Sequence, residues 1–152
     1  MTKNYKKLIF KIVCVAVFLL HLNVNSQTWE TTGTAGFSAT ASYQSMAIDV
    51  SDTPYVAYQD IENSGKTTVM KFNGTAWGLV GTAGFSAGAS DFQSMAVDAS
   101  GTPFVAFRDF GNSSKTTVMK FDGTAWVLVG TAGFSAGASS YQSLAIDASG
   151  TP

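Results

Sequence analysis

The sequence predicts an all-β fold assembled from repeated four-stranded antiparallel meanders, and three observations predict it. First, 34–81 and 82–130 are two copies of one unit, and a third copy opens at Thr131. With a single-residue gap opposite Asp91, roughly three-quarters of the positions in the two full copies agree, at a period of about 48–49 residues. Second, each copy divides into short runs rich in β-branched and aromatic residues, separated by Gly, Pro, Asn and Asp. Third, no sustained 3.6-residue period occurs after residue 26.

The elements follow in order. "QSMAVDA" (Gln93–Ala99) is a first strand, closed by "SGTP", a turn built on Gly101 and Pro103. "FVAFRD" (Phe104–Asp109) is a second strand of aromatic and β-branched character. After the loop "FGNSS", "KTTVMKF" (Lys115–Phe121) alternates Thr117, Met119 and Phe121 against Val118 and Lys120. "DGTA" turns through Asp122-Gly123 into a last strand, "WVLVG".

A single meander of this kind cannot bury both faces, so the units must stack. Four strands in about 50 residues is the pattern of a β-propeller blade. A parallel β-solenoid or open array is the alternative, but its coils usually repeat at about 20–30 residues. The run "AVDASGTPFVAFRD…TTVMKF", repeated as "AIDVSDTPYVAYQD…TTVMKF" and reopened as "AIDASGTP", resembles NHL-type and related bacterial propeller repeats. It departs from them at Asp52, which replaces the turn glycine, and in the length of the linker "GTAGFSAGAS". Propellers usually close with about 4–8 blades. The expected ring is therefore incomplete, with blades at 34–81 and 82–130 and a truncated third at 131–152. Residues 27–33 are an expected orphan outer strand, because Trp29 matches Trp77 and Trp126. The expectation is an N-terminal fragment whose partners include further blades of the same longer chain.

Residues 1–26 stand apart. "MTKNYKK" is basic, "LIFKIVCVAVFLL" is apolar, and Val24 and Ser26 suit a cleavage site before Gln27. This reads as a secretory signal peptide; the apolar run is shorter than the about 20 residues of a spanning helix, and Lys11 interrupts it. The expected location is secreted or at the cell surface, with no membrane span after cleavage. Cleavage removes Cys14, His21 and four lysines, leaving five basic side chains against ten acidic ones, a formal charge of −5. An exported chain without cysteine and with an acidic balance has no attraction to nucleic acid. The sequons at Asn73 and Asn112 are expected to go unused, since the signal and repeat style are of bacterial kind.

"GFSAG", at Gly84–Gly88 and Gly133–Gly137, fits the nucleophile elbow of serine hydrolases. The cleaved chain has no histidine to serve as base, the first copy breaks the motif at Thr40, and no helix follows any copy. Zinc lacks its preferred ligands, and Arg108 is the only arginine. Asp49, Asp98 and Asp147 each offer one carboxylate, which suits an Asx-type turn better than a calcium loop. No catalytic residue, metal or cofactor is expected.

Recognition is expected on the face where the linkers and the loops between strands two and three emerge. There Phe37, Phe85 and Phe134 lie near Asp60, Asn63, Asp109 and Asn112. This grouping suits a carbohydrate or protein ligand; the competing role for the phenylalanines is to plug gaps between blades. The expected function is a non-catalytic binding or adhesion module. The alternatives are a substrate-positioning module of a longer exported hydrolase and a purely structural envelope repeat.

Overall fold

The computed structural model describes residues 28–152, so the predicted signal peptide at 1–26 lies outside the described residues. Each full repeat folds as one antiparallel meander. Sheet 1 contains β1 (Ala41–Ile48), β2 (Pro54–Asp60), β3 (Lys66–Phe72) and β4 (Trp77–Leu79), hydrogen-bonded in that order. Sheet 2 repeats the arrangement with β5 (Ser90–Val97), β6 (Pro103–Asp109), β7 (Lys115–Phe121) and β8 (Trp126–Leu128). Among the described residues the only helical segment is a 3-10 turn at Phe110–Asn112. None of the described helices is long and apolar enough to cross a membrane.

The turns explain the meander. Asp98 Oδ1 accepts from the amides of Ser100 and Thr102, both at 2.8 Å, and Gly101 takes φ +85°. In the first copy Asp52 adopts φ +60° at the corresponding place, a conformation that short polar side chains tolerate. The β3–β4 and β7–β8 turns are Asx turns as well. Asn73 Oδ1 accepts from Thr75 and Ala76 N, and Asp122 Oδ1 accepts from Thr124 and Ala125 N.

The middle strands carry the core. Val56, Ala57 and Tyr58 of β2 are buried on successive positions, as are Val105, Ala106 and Phe107 of β6. A strand buried on both faces needs the unbroken apolar run that "YVAY" and "FVAF" supply. Tyr55, Ala57, Val69 and Val80 of the first repeat pack against Met95, Val105, Phe107 and Trp126 of the second. The Trp126 indole donates to Val80 O at 2.8 Å, tying the outer edges of the two sheets together. Trp77 makes the same bond to Thr32 O at 2.8 Å.

One sequence expectation changes. The one-residue difference between repeats does not fall at Asp91. Ser42 pairs with Gln59 as Asp91 pairs with Arg108, so the extra residue lies in the linker before β5. Thr28–Gly33 form no strand, and Trp29 is fully exposed. In the third copy, 139–146 form no strand either, yet they keep the repeat's contacts. Leu144 N donates to Ser94 Oγ as Met95 N donates to Ser45 Oγ, both at 2.9 Å.

Candidate functional site

The linkers and the β2–β3 and β6–β7 loops do emerge together. Phe85 N donates to Thr67 O and Ser90 N to Gly65 O, which seats the 82–90 linker against the first loop. The residues predicted for recognition are brought to this region, but their polar groups are occupied. Asp60 is buried and accepts from Asn63 N, Asn63 Nδ2 and Thr68 Oγ1. Asp109, also buried, accepts from Gly111 N, Asn112 Nδ2 and Thr117 Oγ1. The threonine hydroxyls pass the network onward, receiving Gly84 N and Gly133 N from the linkers at 2.8 and 2.9 Å. Beside Asp60, burial and that carboxylate's charge push the Tyr58 hydroxyl up to about 12.

The phenylalanines divide. Phe85 stacks on Trp126 with ring centroids 4.1 Å apart, and Phe37 stacks on Trp77 at 4.3 Å. Both fill the gap beside a tryptophan, each pair adding about 0.5–1.5 kcal/mol beyond burial. Phe134 has no such partner among the described residues and is 57% exposed. It borders a trough of about 660 Å³ that includes Ala106, Val118, Val129 and Leu144. The matching positions Ala57, Val69 and Val80 of sheet 1 lie in the core against sheet 2. The trough therefore has the chemistry of a packing face.

Ser86 of the elbow-like motif is a structural hydroxyl. It is 1% exposed, accepts from Thr67 N at 3.0 Å and donates to Gly88 O at 2.7 Å. Ser135 repeats both bonds with Thr116 N and Gly137 O. The repeated aspartates Asp49, Asp98 and Asp147 serve Asx turns, and no group of three or more metal-ligating side chains occurs among the described residues.

The least economical part of the fold lies elsewhere, in the first strand of each repeat. Tyr43 and Gln44 together oppose the single residue Tyr58, and Phe92 and Gln93 oppose Phe107, so β1 and β5 each carry a bulge. Tyr43, Phe92 and the equivalent Tyr141 adopt left-handed backbone at φ +53°, +51° and +56°. Such strain costs about 1–3 kcal/mol at each non-glycine position. It places the three rings in a row, with centroids 4.8 Å apart for Tyr43–Phe92 and 4.5 Å for Phe92–Tyr141. Arg108 lies over Phe92 at 4.6 Å and over Phe110 at 4.9 Å, held by a bidentate pair with buried Asp91.

Each ring is followed in the chain by a glutamine that lines the same groove. Gln93 is 7% exposed; its Nε2 donates to Ser90 O and to the hydroxyls of Thr67 and Ser90. The carbonyl of Ser90 can only accept, so the amide orientation is fixed. Oε1 of Gln93 and Oε1 of Gln142 are buried with no hydrogen-bond partner. An orphaned acceptor costs about 1–3 kcal/mol. Together Tyr43, Gln44, Phe92, Gln93, Tyr141 and Gln142 line an open groove of about 490 Å³. Sequence reasoning missed this groove. Its signal is the aromatic-Gln-Ser tripeptide at 43–45, 92–94 and 141–143.

Neither a family model nor a curated protein matches this chain.

Proposed function

We propose that the chain is an exported binding module without chemistry of its own, whose sheets are blades of an NHL-like β-propeller. The observation that carries the binding reading is the groove of three strained, partly exposed aromatic rings and of glutamines with unpartnered oxygens. Strain and orphaned acceptors kept at the same position in successive repeats lower stability, and recognition is the function that uses them. The propeller reading draws support from the contact that recurs between neighbouring repeats, serine hydroxyl to backbone amide at 2.9 Å with a 50-residue separation each time. Export is read from the sequence of residues 1–26. The ligand classes are glycan and protein.

The test is an array of glycans and proteins probed with the full chain, beside chromogenic ester and glycoside substrates. Saturable binding of an array member without turnover is the expected result. Absence of any ligand at millimolar concentration, together with measurable hydrolysis, overturns the proposal.

A further inference from the structure

We infer that the groove formed by Tyr43, Phe92 and Tyr141 with Gln44, Gln93 and Gln142 is a binding site for a neutral carbohydrate chain. The inference rests on the binding-module reading and assigns it a site and a ligand chemistry.

Charge narrows the ligand first. No side chain lining the groove carries a formal charge. The nearest cation, Arg108, is neutralised by Asp91 through two hydrogen bonds and also donates to Ser140 Oγ at 3.2 Å. A phosphate or nucleic acid strand would find no free positive group here. Hydrogen-bond polarity narrows it further. The Nε2 of Gln93 is committed to Ser90 O and to the Thr67 and Ser90 hydroxyls, which leaves its buried amide oxygen as a pure acceptor. The complementary ligand brings donors, and hydroxyl groups satisfy that need without adding charge.

Shape separates a glycan from a peptide. A polyproline-type peptide would meet the aromatic rings but brings mainly carbonyl acceptors, which an acceptor oxygen does not satisfy. An extended peptide binds by continuing the ladder of a strand edge. At this groove the ladder is broken by the bulges at 43–44 and 92–93, where backbone groups fall out of register. What the groove does offer is apolar ring surface, with Tyr43 44% and Tyr141 82% exposed, beside a few fixed polar atoms. A sugar ring, with C–H faces and hydroxyl edges, matches both.

The experiment titrates the full chain with cellohexaose, xylohexaose and mannohexaose, followed by calorimetry and by saturation transfer from the tyrosine ring protons. The variants are Tyr43→Ala and Tyr141→Ala, whose exposed rings leave folding intact, with Phe134→Ala as a control outside the groove. Expected is millimolar or tighter binding of at least one oligosaccharide, weakened at least about tenfold by either tyrosine variant and unchanged in the control. Glycan binding that survives both tyrosine changes overturns the site, while the binding-module reading stands. Protein ligands on the array with no neutral glycan bound at millimolar concentration overturn the carbohydrate class alone. No ligand of any class removes both readings.

Discussion

Replacing Asp109 with alanine separates a structural carboxylate from a ligand-binding one. Asp109 is 2% exposed and accepts from Gly111 N at 3.0 Å, Asn112 Nδ2 at 2.8 Å and Thr117 Oγ1 at 2.9 Å. The donors differ in what they lose. Gly111 is exposed and Asn112 half-exposed, so water replaces much of what alanine removes. Thr117 is 1% exposed, and its hydroxyl is left without an acceptor, a cost of about 1–3 kcal/mol. Its oxygen also receives Gly133 N, so the disturbance extends into the 131–138 linker. Against this, a buried carboxylate no longer has to be desolvated. The net expectation for Asp109→Ala is a loss of about 1–3 kcal/mol, a sizeable fraction of a typical domain's stability. Asp109→Asn keeps one acceptor but sets an NH2 against either Gly111 N or the Asn112 and Thr117 donors, and is expected to cost about as much as the alanine change. The assay is urea unfolding of the full chain by Trp fluorescence and far-ultraviolet circular dichroism, with an unchanged denaturant slope as the check on two-state behaviour. An alanine variant within about 0.5 kcal/mol of the parent, yet impaired in ligand binding, would falsify the structural assignment.

Phe85→Ala removes the ring stacked on buried Trp126 and is expected to cost about 2–4 kcal/mol; Phe134→Ala, at an exposed ring, should cost less than about 1 kcal/mol in the same titration. Gly81 and Gly130 both have positive φ, but a Cβ at Gly81 would lie 2.8 Å from Phe121 Cε2 and 3.2 Å from Trp126 Cδ1, whereas Gly130 faces open space. Gly130→Ala therefore reports backbone strain alone, about 1–2 kcal/mol, and Gly81→Ala should unfold at clearly lower urea. Asp49, Asp122 and Asp147 are held below the ordinary carboxylate range, chiefly by the Thr53 amide, the Ala125 amide and the Ser149 hydroxyl respectively. Because their folded pKa values are depressed, their stabilisation is present above the unfolded value of about 4 and is lost as pH falls through the folded values. Urea midpoints measured from pH 7 to 2 should accordingly fall below about pH 4, and less steeply in Asp122→Asn, which installs the residue that Asn73 already supplies in the first repeat.

Where pattern and structure agree, the determinants are local. "KTTVMKF" marks β3 and β7 to the residue, because period-two alternation between turn residues is written in the strand itself. The Asx turns at Asp49, Asp98 and Asp147 are legible for the same reason. The first strand is less so: β5 begins at Ser90, ahead of the aromatic-Gln pair at which the alternation starts, and its bulge depends on how many residues the partner strand sets opposite. That count is a property of pairing, so Phe92 reads in sequence as the end of a linker. The structural bonds of the recognition residues predicted on the loops are hidden in the sequence for a related reason. Asp60 and Asn63 look like free polar groups in the string, and only the fold shows that each satisfies the other.

The repeat also shows why the groove is more than an accident of packing. Elsewhere among the described residues left-handed backbone falls on glycines, as at Gly84 and Gly133 in the linkers, or on the short polar residues Asp52, Ser64, Ser113 and Ser114. At 43, 92 and 141 the same conformation is carried by Tyr, Phe and Tyr, bulky residues for which it is an outlier. Phe92, with a ring on either side, is half-buried. The rings gain only their contacts with one another and, at Phe92, with Arg108. On the proposed binding reading, the bulge turns the rings toward the groove while the rest of each strand keeps its register, and a ligand repays the strain.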